Sequence, residues 1–355
     1  MKGEDLFRGL SHIDEDFIAE AETVIPSRTG RKRGLIFLIA AVISLLGVMT
    51  FASTMPEVRS NWFYAFFEDA PPADPEEALT ENQSQLLHAA LVEIGQSVSS
   101  GGYTITLESG LCDGYRALIK CRLEGPEGTV LGGRNYALDY TSHIDHSSGI
   151  PGNYSASSFA CHLLEDPDPT DNRVTLLLEI IVQPGEGSAF SLADGTVWEL
   201  AFSGIEELTG TGEEAAWNTL CRGTWEFRVA FQGELLVTES IELLRKPVRC
   251  LWSLHVRNFT IPVRAKIFSF ELRSLTATIR YKRPLIAVFQ GVHLDKPIYL
   301  VLHDGTRVRV QVKMTTYRKN YDETLCLFDR PVSPEDIACI EFPGVGQVAI
   351  AGEDG

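Results

Sequence analysis

A run of nineteen uncharged residues, Gly34–Ala52 (GLIFLIAAVISLLGVMTFA), limits what this chain can become more than any other feature. As a helix it covers roughly 28 Å, close to the hydrocarbon thickness of a bilayer. A helix in a water-soluble core normally keeps a polar stripe. Here only Ser44 and Thr50 are polar, and both can bond back to helix carbonyls. The run therefore predicts one transmembrane helix over 34–52. Arg28, Arg31, Lys32 and Arg33 precede it, whereas Ser53 to Asp69 hold one cation, Arg59, against Glu57, Glu68 and Asp69. Cations stay on the cytoplasmic side, which places residues 1–33 inside and everything after Ala52 outside. A cleaved signal peptide fits less well. Its apolar stretch is about 7–15 residues behind a short basic lead, and here the lead is thirty-three residues with seven acids. The aromatic stretch Asn61-Trp62-Phe63-Tyr64-Ala65-Phe66-Phe67 suits the outer interface, where amphipathic rings sit at headgroup depth.

In the inner segment, Leu6, Leu10, Ile13, Phe17, Ala21 and Val24 recur at helical spacing, with most of the acids off that face. A helix this short is marginal alone, so its stripe needs a surface to cover it. Leu6, Leu10, Ile13 and Phe17 are the candidate contacts for a cytoplasmic protein that takes a helix in a groove. Anionic headgroups favour Lys and Arg, so the acidic outer face argues against the membrane surface. An inert lead-in is the other reading of residues 1–27.

Beyond the span, Pro71-Pro72-Ala73-Asp74-Pro75-Glu76-Glu77 is a stiff acidic linker. A short helix is expected over Ser84–Gln96, after which the apolar period changes to two. Tyr103, Ile105 and Leu107 alternate with polar residues, and Asp113-Gly114 turns the chain into a strand over Tyr115–Leu123. Further strands are expected at 173–182, 196–202, 224–231, 235–243, 250–256, 265–272, 276–281, 298–302, 307–312, 324–328 and 348–351, with a short helix at Glu213–Leu220. Many short strands between turn signals predict antiparallel β-sandwiches. The expected organisation is a cytoplasmic helix with basic stop (1–33), the span (34–52), an aromatic and acidic connection (53–79), and two β domains (80–246 and 247–355). The fold class is mainly β.

This order of parts, with Leu10-Ser11-His12-Ile13-Asp14-Glu15-Asp16-Phe17-Ile18 inside and Gly102-Tyr103-Thr104-Ile105-Thr106-Leu107-Glu108 opening the outer part, resembles the bacterial single-pass membrane proteins of the Domain of Unknown Function 4179 family. Lys266 to Tyr281, followed by Asp304-Gly305-Thr306, is similar to the immunoglobulin-like domain that often follows. The resemblance implies an anti-sigma-like signalling protein, with a cytoplasmic sigma factor or other protein bound through residues 1–27 and an envelope ligand bound outside. The inner segment has His12 and no cysteine, so it lacks the zinc site of zinc-type anti-sigma domains. The alternative is a structural or binding module of the envelope with no cytoplasmic role.

Net charge is −17, from 48 acidic and 31 basic residues, which argues against a surface that coats nucleic acid. His143, Asp145, His146 and His162 could bind zinc if brought together, but the first three read as residues of a loop rich in Ser, Gly and Pro. Glu165 to Asn172 offers oxygen ligands without the glycine and distal glutamate of a calcium loop. Gly210-Thr211-Gly212-Glu213-Glu214-Ala215 loosely matches a dinucleotide loop outside any β-α-β context. No phosphate-binding loop, nucleophile elbow or His-Glu-x-x-His is present. The expectation is a non-catalytic protein with neither metal nor cofactor. Seven cysteines, all beyond the span, are too few for a disulfide scaffold. Cys112 and Cys121 could meet across the Asp113-Gly114 turn, and thiols and disulfides both remain open.

Overall fold

The computed structural model describes residues 79–350 except 134, 145–153, 165–167, 185–193, 211–214, 233–240, 257–258, 283–296 and 319. Leu6, Leu10, Ile13 and Phe17, the basic residues Arg28, Arg31, Lys32 and Arg33, and the apolar run all lie outside the described residues. Among the described residues no helix is long and apolar enough to cross a membrane.

Helix α1 (Glu81–Ala90) starts in a capping box: the Thr80 hydroxyl accepts the Gln83 backbone N–H, and the Gln83 side chain accepts that of Thr80. It stops six residues short of the expected Gln96. Leu91 is extended, and strand β1 (Val92–Ser100) begins with Ile94 and Val98 packed against an apolar core. Local helix propensity in this stretch yields to that burial. Gly95, at φ +62°, sits in a bulge of β1 that most side chains would strain to adopt.

The chain is mainly β, and every strand pairing among the described residues is antiparallel. A five-stranded sheet has the order β1-β2-β3-β6-β5, with β2 Tyr103–Cys112, β3 Arg116–Glu124, β5 Tyr154–Leu163 and β6 Arg173–Pro184. A three-stranded sheet has the order β4-β7-β8, with β4 Asn135–Ile144, β7 Asp194–Thr209 and β8 Ala216–Gln232. These two sheets share one core. Ile105, Leu107, Ile119, Leu176 and Leu178 of the first meet Trp198, Leu200, Phe202, Trp225 and Phe227 of the second. The Trp225 indole N–H donates to the Tyr103 carbonyl at 3.1 Å, so the largest buried ring is also hydrogen-bonded. At one margin the Gln96 amide bonds both the N–H and the carbonyl of Arg228, satisfying backbone groups on the edge of β8.

The expected helix at Glu213–Leu220 is corrected: Ala216–Leu220 is the start of β8, paired with β7 through Leu208↔Trp217 and Glu206↔Thr219. Glu213, Glu214, Ala215 and Ala216 are locally good helix formers, but the ladder with β7 decides the conformation. β4, β5 and the strand Ile337–Phe342 lie outside the expected strands; they come from segments containing turn-like Ser, Asp and Asn or a short apolar run.

The third sheet has nine strands: β9 Ile241–Glu242, β10 Val248–Val256, β11 Phe259–Leu272, β12 Thr276–Lys282, β13 Ile298–Leu302, β14 Arg307–Tyr317, β15 Asp322–Phe328, β16 Ile337–Phe342 and β17 Gly346–Ala349. Its order is β10-β11-β12-β15-β14-β13-β16-β17, with β9 also on β11. The sheet curls on itself. Phe270 of β11 and Phe342 of β16 stand five places apart in that order, yet their rings meet edge to face at 6.3 Å.

Candidate functional site

Strands with only one buried face alternate, and β6 does not. Leu176, Leu177, Leu178, Glu179, Ile180, Ile181 and Val182 are all buried, as is every residue of β15. Both strands are therefore covered on two faces. The inner face of β6 supplies the core described above. Its outer face, with that of β3, packs on the third sheet: Leu111, Leu118 and Leu177 gather with Leu87, Leu164 and Leu275, and Ile181 with Leu325 and Leu327.

A polar seam runs through this apolar contact. Arg116 (β3) and Glu179 (β6) are 1% and 3% exposed, so neither has water to fall back on. Arg116 Nε donates to Glu179 Oε1 at 2.8 Å, its Nη2 lies 2.6 Å from the same oxygen, and its Nη1 donates to the Phe328 carbonyl on β15 at 2.9 Å. Lys313 Nζ (β14) reaches Glu179 Oε2 at 3.3 Å. Burial raises the cost of charging Glu179, but Arg116, Lys313 and His162 outweigh it and hold its carboxyl below the usual range.

At one end of the seam Asp113 bridges two turns. Its Oδ1 accepts the N–H of Tyr115 (3.1 Å) and of Arg116 (2.9 Å), and its Oδ2 accepts the Leu275 N–H (2.9 Å) and the Thr276 hydroxyl (2.8 Å). Gly114 completes that turn at φ +96°. The Arg273 guanidinium lies over the Tyr115 ring at 3.8 Å. At the other end the Gln183 amide donates to Glu323 at 3.2 Å and accepts the Thr316 hydroxyl at 2.9 Å. Glu323 also takes Arg280 (2.8 Å) and Arg318 (3.0 Å), which hold its carboxyl down despite burial. Gln83 of α1 donates to the Pro331 carbonyl at 3.0 Å. The arrangement fixes two β bodies in one orientation, through an apolar contact crossed by polar bonds of Arg116, Lys313, Asp113, Gln183 and Gln83.

The histidines weighed as a zinc set are not assembled as a group among the described residues. His143 lies on β4, paired with Glu199 of β7, rather than in a loop; Asp145 and His146 are outside the described residues. His162 is on β5 in the other sheet, beside the seam. No cluster of three His, Cys, Asp or Glu side chains among the described residues is placed to hold a metal. In the acidic loop Asp168 accepts Thr170 N–H and hydroxyl, Asp171 accepts the Arg173 N–H, and Asn172 donates to the Gly125 carbonyl. These groups shape the turn. Gly210 ends β7 at φ +75°, in a hairpin rather than ahead of a helix. Cys112 does not oppose Cys121: their cross-strand partners are Ala117 and Leu107. Among the described residues no disulfide joins any of the seven cysteines. Burial pushes the Cys161 thiol up to about 12 and raises Cys121 and Cys326, which makes them poor nucleophiles.

Arg116, Glu179, Lys313 and Glu323 escaped sequence reasoning. The available signal was Glu179 itself, one acid inside Leu-Leu-Leu-Glu-Ile-Ile-Val.

The position of His162 carries an acid dependence. Burial, together with Lys313 and Arg116, lowers its pKa from 6.5 against the pull of Glu179. A histidine kept neutral by folding adds stability that is full above the unfolded pKa and falls as pH drops below it. The urea midpoint should therefore decline from pH 7.5 to pH 5.5, and His162→Gln should flatten that decline. An equal decline in the variant would exclude His162 as its source.

No family model matches this chain, and no curated protein matches it. Among solved structures, the crystal structure of the conserved domain protein from Bacillus anthracis aligns with 70% of this chain and 75% of its own, at 12% identity and a TM-score of 0.43.

Proposed function

We propose that this chain is a single-pass membrane signalling protein of the anti-sigma-like kind, with its N-terminus cytoplasmic and a non-catalytic β ectodomain outside. The observation that carries the reading is the uncharged run 34–52, with four cations before it and a rigidly seamed β body after it. In this reading the two-sheet body is a β-sandwich, the curled nine-stranded sheet is an immunoglobulin-like module, and together they bind an envelope ligand. The inner stripe of Leu6, Leu10, Ile13 and Phe17 holds a cytoplasmic partner, a sigma factor being the kind that the family resemblance suggests. A rigid seam supports signalling because binding at one body then moves both.

Affinity capture from native membranes tests this. The full chain should retain a cytoplasmic protein that is lost when residues 1–27 are removed. Ile13→Asp with Phe17→Asp should lower capture of that protein at least tenfold, while the chain stays in the membrane fraction. Identical interactors from all three proteins would favour the envelope module with no cytoplasmic role.

A further inference from the structure

Several exposed cations on the β faces of this protein are matched to acids. Arg122 meets Glu108, Arg173 meets Glu124, Arg228 meets Glu199, Arg307 meets Glu341, and Arg222 meets Asp139 and Glu206. Arg309 of β14 stands alone without such a partner among the described residues, and in one place unmatched cations form a row. On the outer face of β10, β11 and β12, Arg249 stands directly opposite Lys266, and Lys266 directly opposite Lys282. Arg264, two residues along β11 from Lys266, extends the row on the same face. All four are exposed, and none forms an ion pair with a described residue. Like charges directly opposite on neighbouring strands destabilise a sheet. A chain with 48 acids against 31 bases had ample acidic residues to place between them, and three adjacent strands carry cations instead.

We infer that this row is a binding surface for a linear, flexible polyanion built of phosphate groups. Strands lie about 4.8 Å apart, so Arg249, Lys266 and Lys282 form a line of roughly 10 Å, with Arg264 roughly 7 Å off it. Such a line matches charges repeated along one thin chain. A flat anionic membrane fits less well, because it would also face the acidic remainder of a protein of net charge −17. Single-stranded nucleic acid fits less well because it needs exposed rings on which bases stack. The flanking aromatics Phe268 and Tyr321 are half-buried and packed edge to face on each other at 5.7 Å. The ligand is held by charge rather than by shape, so its affinity must fall steeply with salt. Neutralising four phosphates corresponds to a slope of log affinity against log salt of about −3. The inference does not depend on the membrane reading.

The test uses the full chain in neutral detergent micelles, with long-chain inorganic polyphosphate as the probe. Binding should be saturable and weaken with salt at about the slope given above. The combined change Arg249→Gln, Arg264→Gln, Lys266→Gln and Lys282→Gln should lower affinity at least tenfold and flatten the slope. The same variant should unfold at an unchanged or higher denaturant midpoint, since it removes only repulsion. Arg173→Gln with Arg228→Gln, also exposed but acid-paired, should bind like the parent. Undiminished binding by the four-site variant would overturn the inference. So would tighter binding, through the same four residues, to anionic phospholipid vesicles or to a single-stranded oligonucleotide of equal charge.

Discussion

Replacing Glu179 with alanine should cost about 3–5 kcal/mol of stability, the usual effect of removing one partner of a buried ion pair. Arg116 would keep its bond to the Phe328 carbonyl but lose its counter-charge at 1% exposure, and Lys313 would lose its contact as well. The expense comes from the charge left behind, so the reciprocal experiment is informative. Arg116→Met with Glu179→Leu removes both charges and fills the space with apolar atoms. Such exchanges are often neutral or stabilising, and the double variant should recover most of the loss. Urea unfolding followed through the buried Trp198 and Trp225 measures both proteins. If the double variant were as unstable as Glu179→Ala, the Phe328 carbonyl and neighbouring polar groups would be the real beneficiaries of Arg116. In acid the parent should move toward the alanine variant. The Glu179 carboxyl is held below 4.5 in the fold, so its contribution is present above that value and is lost as pH falls through the lowered one.

Why these residues were hard to find follows from what a single sequence displays. Strands such as β2 and β13 announce themselves through alternation, because one face of each meets water or polar neighbours. β6 showed a continuous apolar run, which reads as a strand but does not say what covers its second face. That cover is β15 and its neighbours, more than a hundred residues later. β5 (YSASSFACHL) and β4 (NYALDYTSHI) have the composition of loops and become strands because ladder bonds to β6 and β7 are available. The helix expected at Glu213–Leu220 failed in the opposite sense, its local propensity being overruled by pairing with β7. Glu179 was visible as an oddity, whereas its partner Arg116 lies 63 positions away with nothing in between to link them. The cationic row had the same obscurity, since Arg249, Lys266 and Lys282 become neighbours only when β10, β11 and β12 are in register.

Asp113 shows how one residue can be read correctly and incompletely. The Asp-Gly pair predicts the turn, and the turn is there, with Oδ1 bonding the Tyr115 and Arg116 N–H groups. The second oxygen serves a different body, accepting Leu275 N–H and the Thr276 hydroxyl 162 and 163 positions away. Asp113→Ala should therefore loosen the turn and the seam together. Buried donors left without an acceptor cost about 1–3 kcal/mol each. Because the four bonds share one side chain their effects are not additive, and a total of about 3–5 kcal/mol is expected. Asp113→Asn separates the two roles. One amide oxygen can still serve one pair of donors, but the NH2 group then faces the other pair, so roughly half the loss should remain. Thr276→Val removes a single donor and should cost about 1 kcal/mol. Amide hydrogen exchange locates the effect: the Leu275 amide should be protected in the parent and exchange faster in Asp113→Ala, while amides of the inner core of β6 stay protected. If Leu275 kept its protection, the two turns would be docked by the surrounding leucines alone, and Asp113 would be a turn residue and nothing more.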